Sequence, residues 1–307
     1  MNVGAGTTIN WAVTPQANKM FRNVIVNTGG ILKVPSGTVI KCSGSFTNSG
    51  TIKVLSALPG ENVNNNTYNQ LLDRANSRSA PPSVASMATT KYSFGGIAFT
   101  TAELENILEP GIFGGGNGAA GLNSWGRGGS GGGSLSIYCK GTIINNGVIK
   151  ANGGKATDGS TPTTTSSFPF GGSGGGAGGF IVFVSKTSFT NNTTIKAHGG
   201  KGSSGNANGS TGGVGSGGGG GGGFVYIIAP LINQIGSISL SGGLSGGTNT
   251  PTTTGVPGGG GGAMGGKGGT GGCYMNDTSA PTSISPTNGH PGQLITAYIT
   301  DPEYLFN

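Results

Sequence analysis

Seven consecutive glycines, Gly217–Gly223, run directly into Phe224-Val-Tyr-Ile-Ile228. A glycine run on its own reads as a flexible linker. Joined to five residues that favour a buried β-strand, it reads as part of a folded unit. The junction recurs. Gly174-Gly-Gly-Ala-Gly-Gly179 precedes Phe180-Ile-Val-Phe-Val184, and Gly131-Gly-Gly133 with Ser134 precedes Leu135-Ser-Ile-Tyr-Cys139. Gly133, Gly179 and Gly223 are 46 and 44 residues apart. A second landmark, Asn152-Gly-Gly154, His198-Gly-Gly200 and Ser241-Gly-Gly243, is spaced by 46 and 43. Two independent landmarks with one spacing define a repeat of about 45 residues.

Each unit holds a glycine tract, an apolar strand, a turn, a second strand and a polar loop. The second strand is expected over 142–151, 189–197 and 235–240. The N-terminal region belongs to the same series, because residues 42–54 match 139–151 at a constant offset of 97. Residues 55–130 therefore interrupt one solenoid. Stacked coils predict columns: Ile52, Ile149, Ile195 and Ile238 point inward, and Lys53, Lys150, Lys196 and Ser239 point outward as splayed, solvated side chains. Cys42 and Cys139 fill one inward position as small apolar residues.

The fold expected is all-β, with β-solenoid or β-sandwich-like repeats and a small helical insertion. Residues 1–60 form an N-terminal β region whose short strands include 21–26, 31–34, 38–42 and 51–54. Residues 61–115 form the insertion, a possible docking element, with one short helix over 68–76 and another opened by the capping box Thr100-Thr-Ala-Glu103. Residues 116–275 are the glycine-rich repeat domain. Residues 276–307 are a C-terminal cap or oligomer contact, with a last strand in 293–300 and an apolar tip in 301–306.

Glycine and proline, 68 and 15 of 307 residues, reach the range of low-complexity chains. The regular spacing points instead to ordered tracts in threefold polyglycine II geometry, whose bare backbones can approach and hydrogen-bond. Ordering them costs much conformational entropy, so only lateral bonding among several tracts could hold them. The alternative is that they are loops.

Only 8% of residues are charged, and the net charge is +7. The basic residues are spread along the chain without the clustering of a nucleic-acid binder, which leaves solubility and weak attraction to anionic surfaces. Three cysteines at wide spacing make neither a disulfide framework nor a zinc motif, and match folding in a reducing cytoplasm. The N-terminus reads as no signal peptide, and no apolar run is long enough to span a bilayer. The nine acids lie mostly in the insertion and the tail, and form no pair placed for glycoside hydrolysis. His198 and His290 lack companions for a triad or metal site, and the glycine tracts lack a phosphate-binding signature. A non-enzymatic protein without cofactor or metal is expected.

The tracts separated by short polar loops, as in Gly171–Gly179 and Gly258–Gly272, resemble the glycine-rich tail-fibre adhesins of T-even-like bacteriophages. The likeness covers about 112–275 and extends to glycine-rich β-solenoid proteins of phages. The strands inside each repeat and the solenoid-like N-terminal half are departures from the adhesin pattern. The resemblance implies a sandwich of polyglycine II helices with receptor-binding loops at its tip. Here those would be 155–170, 201–211 and 244–257, with Thr163, Thr164, Phe168, Phe170, Asn206, Asn208, Asn249, Thr252 and Thr253 as contact residues. It implies a virion location, other virion proteins as partners, a homotrimer as one assembly, and a host polysaccharide or outer-membrane protein as receptor. Two alternatives stand beside the adhesin: a purely structural decoration, head-fibre or shaft protein, and a secreted polysaccharide-active enzyme.

Overall fold

The computed structural model describes residues 1–11, 18–56, 94–105, 114–121, 126–157, 169–207, 213–247, 255–256, 258–277 and 280–306. Among these the chain is almost entirely β. It winds past three parallel sheets in a fixed order, giving one strand to each sheet per turn. The first turn is β1 (Asn2–Val3), β2 (Thr8–Asn10) and β3 (Asn18–Phe21), and the second is β4 (Val24–Val26), β5 (Ile31–Val34) and β6 (Thr38–Cys42). The third is β7 (Phe46–Asn48), β8 (Thr51–Val54) and β9 (Ser134–Cys139), and the fourth is β10 (Ile143–Asn145), β11 (Val148–Lys150) and β12 (Phe180–Ser185). The fifth is β13 (Phe189–Asn191), β14 (Thr194–Lys196) and β16 (Phe224–Ile228), with the two-residue β15 (Gly213–Val214) before β16. The sixth is β17 (Ile232–Gln234), β18 (Ser237–Ser239) and β22 (Gln293–Ala297); β19 (Gly255–Val256), β20 (Cys273–Asp277) and β21 (Ala280–Ile284) lie between β18 and β22.

The register shows what the repeat contains. Asn2 lies opposite Ile25, 23 residues on, and Ile31 opposite Thr51, 20 residues on. Ile149 lies opposite Ile195, 46 residues on. A bare coil therefore takes little more than twenty residues, and the rest of each long repeat is an excursion that leaves after the second sheet and returns to the third. Residues 55–133 are the first of these, since Cys42 pairs with Cys139 across them.

The expected second strand is in fact two. Residues 142–151 turn a corner at Asn146-Gly147, which sends β10 to the first sheet and β11 to the second. A side chain at Gly147 would run into the Gly50 backbone of the coil below, so the corner is glycine for want of room. The expected strand 21–26 likewise breaks after Phe21.

Inside the coils, alternation sorts the side chains. Leu32, Ile52, Ile149 and Ile195 stack in one wholly buried column, facing Phe46, Ile143 and Phe189 from the first sheet and Ile40, Ile137 and Phe183 from the third. Each such burial contributes about 1.5–3 kcal/mol. Two polar columns share this interior. Asn48 Nδ2 donates to Asn145 Oδ1 at 2.8 Å, and Asn145 Nδ2 donates to Asn191 Oδ1 at 2.7 Å, so each buried amide is satisfied by the next coil. Cys42 and Cys139 are buried neighbours, and the Cys139 thiol donates to the Gly44 carbonyl at 2.7 Å. The side-chain hydrogen bond with Cys139, and then burial, push the Cys42 thiol up, so it stays protonated.

The central strands of the third sheet, β9, β12 and β16, are buried on both faces, as their unbroken apolar runs anticipate. Its outer face carries Tyr138, Phe180, Val182, Phe224 and Tyr226, covered by Phe99, Met264 and the tail residues Leu305 and Phe306. Phe306 meets the Tyr138 ring edge-on at 6.2 Å between centroids, and burial raises the Tyr138 phenol to about 12. Glu303 receives Lys140 Nζ at 3.0 Å and Lys186 Nζ at 2.6 Å. The tail tip, expected as an exposed apolar end, thus folds over its own sheet.

Part of the insertion is seated in the same body. Thr100 and Glu103 form the expected capping box: Thr100 N donates to Glu103 Oε2 at 2.9 Å, and Glu103 N donates to Thr100 Oγ1 at 3.3 Å. They open the short helix α1 (Thr101–Glu105), which Thr101 ties to Gln293 of β22 at 2.8 Å. The helix expected over 68–76 lies outside the described residues.

Candidate functional site

The excursions from the coils pack together as a lattice of bare backbone, and the tract 215–223 is its axis. Its N–H groups fan out with a period of three. Gly215, Gly218 and Gly221 donate to Val256, Gly259 and Gly262; Gly217, Gly220 and Gly223 donate to Ser203, Gly200 and Ala197; Gly219 and Gly222 donate to Thr287 and His290. Its carbonyls accept from three further segments: from Gly172, Gly175 and Gly178; from Gly243 and Gly246; and from Gly266, Gly269 and Gly272. These bonds are 2.7–3.0 Å long. Six neighbours around one threefold chain is the packing of polyglycine II, with every direction around the axis occupied by another backbone.

This explains the glycines. Among the described residues, the left-handed φ region is taken by Gly6, Gly29 and Gly37, all at turns of the first two coils. In the tract 215–223 torsion is not the reason. A Cβ built on Gly217 to Gly223 would lie well under 3 Å from a neighbour's carbonyl oxygen at every position. No flexible side chain stands there to give way.

The lattice has two ends. At one end Gly133, Gly179 and Gly223 pass into the third sheet. At the other, about 25 Å away for nine residues of threefold chain, the segments turn. Phe170 and Asn206 pair there, with Phe170 N to Asn206 O at 2.9 Å and Asn206 N to Phe170 O at 3.0 Å. β15 pairs in parallel with β19, and the hairpin of β20 and β21 lies beside them. Gly121 is close to Gly171, and the Ser173 hydroxyl donates to the Gly126 carbonyl at 3.2 Å. The residues that flank 122–125, 158–168, 208–212 and 248–254 therefore meet at one end of the lattice. Segments far apart in sequence are brought there by the stacking alone.

Of the expected contact residues, Asn206 is exposed at this end. Phe170 is 5% exposed: of the two readings of this aromatic, displayed for contact or tucked back onto the glycine surface, the structure has the second. Its backbone, rather than its ring, serves the tip. Thr163, Thr164, Phe168, Asn208, Asn249, Thr252 and Thr253 lie outside the described residues.

The second sheet carries a feature that sequence reading saw only in part. Its outward column runs Asn10, Lys33, Lys53, Lys150, Lys196 and Ser239 in strict register. Lys33 escaped the sequence alignment because the early coils lack the excursion; the match of Ile31-Leu-Lys-Val34 to Thr51-Ile-Lys-Val54 was the available signal. Beside the column, His198 Nε2 is 2.7 Å from Ser239 Oγ. Burial, and then the Lys196 charge, hold its imidazole below the usual range, so it is uncharged at neutral pH. Among the described residues no three His, Cys, Asp or Glu side chains gather as a metal ion would require. No described helix is long and apolar enough to cross a membrane.

Comparison with protein-family models, with curated proteins and with solved structures finds no match to this chain.

Proposed function

We propose that the chain is a structural virion protein of a bacteriophage fibre that acts as an adhesin, holding polar loops toward a host-surface polysaccharide or outer-membrane protein. The observation that carries this reading is the meeting of the loop-flanking residues at one end of the glycine lattice. A binding surface built from loops needs a rigid support, and rigid scaffolds carrying variable loops are the usual design for recognition. Here the support is a backbone lattice with few side chains, anchored at its other end in a solenoid with an apolar core. The loops are rich in Thr, Ser, Asn and Gly, whose hydroxyls and amides suit hydrogen bonding to sugars. Other virion proteins are the assembly partners in this reading.

The test is adsorption of the labelled protein to a panel of bacterial strains. Replacing 158–168, 208–212 and 248–254 with Gly/Ser segments of equal length is expected to abolish adsorption and leave the melting transition unchanged. Undiminished adsorption by the loop-replaced protein overturns the loop assignment. Failure of the intact protein to adsorb to any strain favours the purely structural fibre component.

A further inference from the structure

The lysine column of the second sheet has no counterpart on the other two sheets. Parallel strands lie about 4.7–4.9 Å apart, so Lys33, Lys53, Lys150 and Lys196 leave four successive rungs at that step. Like charges directly opposite on neighbouring strands are destabilising. Two unit charges at this separation repel by about 0.9 kcal/mol in water before salt screening. A solvated face requires no such arrangement: the adjacent outward column of the same sheet is filled by Thr8, Ile31, Thr51, Val148, Thr194 and Ser237. No acidic residue lies on this sheet, and none of the four lysines has an ion-pair partner among the described residues. Where the other face needed its lysines neutralised, the chain supplied Glu303 to Lys140 and Lys186.

Two further lysines lie on the glycine-rich segments that follow β11 and β14. Lys155 and Lys201 are both exposed and sit on backbone-bonded neighbours, Ala156 N donating to Lys201 O at 2.8 Å. The lysine column thus runs across the coils, along the direction in which they stack.

We propose that this face is a binding site for a linear anionic glycan, lying along the solenoid axis with its carboxylates or phosphates on successive or alternate rungs. Charge complementarity selects a polyanion. The chemistry of the face selects among polyanions. Single-stranded nucleic acid is held by aromatic stacking platforms, and the outward residues of this sheet include no aromatic. Duplex recognition relies on arginine forks and on an element that enters a groove, and this flat face has neither. Lysine ammoniums are point charges that meet anionic groups without a fixed orientation, as an unbranched acidic glycan with repeated, rotatable substituents requires. The site is separate from the loop-bearing end, and its existence does not depend on the adhesin reading.

The test measures binding of the whole chain to polyuronate oligomers, to a glycerol-phosphate polymer, to neutral dextran, and to single- and double-stranded DNA oligomers. The expected result is saturable binding of an anionic glycan and none of dextran. The variant Lys53→Gln/Lys150→Gln should weaken that binding at least about tenfold with an unchanged melting transition. Raising the salt from about 50 to about 500 mM should weaken it by a similar factor. The polyuronate and phosphate arms tell the two glycan chemistries apart. The variant Lys140→Gln/Lys186→Gln, on the other flank, and the loop-replaced protein should both bind as the parent does. Equal or tighter binding of either DNA overturns the glycan assignment. Absence of binding to every anionic polymer overturns the site, and so does full binding by the Lys53→Gln/Lys150→Gln variant.

Discussion

The coils and the glycine lattice are two dry interiors built on opposite terms. In the coils, side chains fill the space between sheets, and apolar burial at Ile52, Ile149, Phe183 and Phe189 supplies the stabilisation. In the lattice there are almost no side chains to bury. Each residue of the tract 215–223 donates about one backbone bond and accepts about one; shared between two segments, that is about one bond per ordered residue, with a net value of about 0.5–1.5 kcal/mol against an ordering cost of about 1–2 kcal/mol. The two nearly cancel. A lone lattice of this size is marginal, which is why the tracts that end at Gly133, Gly179 and Gly223 each pass into a strand of the third sheet. The coils hold the tracts in place, and the tracts in return carry chain ends outward with no side-chain motion. The difference also predicts opposite sensitivities: the lattice fails when atoms are added, the coils when atoms are removed.

The strongest break comes from adding atoms to the lattice. Gly219→Val puts a branched side chain against the Gly243 carbonyl, where even a Cβ has no room. The expected loss exceeds the roughly 1–3 kcal/mol usual for overpacking, because only backbone surrounds the site. The variant should be insoluble or melt far below the parent, as read by circular dichroism and yield. A variant that melts with the parent would mean the tract is a linker. Removing atoms from the coils comes next. Ile149→Ala leaves a cavity in a wholly buried column and should cost about 2–5 kcal/mol by denaturant titration. The same measurement on Gly247→Ala, whose Cβ would meet only the Ser204 side chain, should show little change, and that contrast sharpens the claim that the lattice interior, unlike its margin, is intolerant.

The smallest effect is expected at the tail. Hydrogen bonds from Lys186 and then Lys140 hold the Glu303 carboxyl below the usual carboxylate range. A carboxyl depressed on folding contributes stability above its ordinary pKa and loses it as pH falls through the folded value. Glu303→Gln should therefore melt slightly below the parent at neutral pH. The two melting curves should converge in acid and at high salt, since the pairs are exposed. A difference that persists in acid would show that Glu303 acts through packing.

Much of the fold was legible because stacked parallel coils repeat their environment. Every coil places the same kind of side chain at the same rung, so spacing alone aligned Cys42 with Cys139 and set the isoleucine column that the register shows. The corner at Asn146-Gly147 was not legible: an apolar stretch interrupted by Asn-Asn-Gly reads equally as one strand or two. The placement of Phe170 was left open for a related reason. An aromatic between small polar residues looks displayed, and only the neighbouring backbones decide that it is covered.

The sequence by itself determined the period, the inward columns and the need for glycine in the tracts, because these depend on what one residue type can do at a repeated position. The tertiary structure decided three things that the sequence reading left open. It gave the axial tract six neighbours, it brought the residues flanking four distant segments to one end, and it drew Lys33 into line with three other lysines. Each is a consequence of parallel stacking, which turns separation along the chain into a distance of one strand spacing.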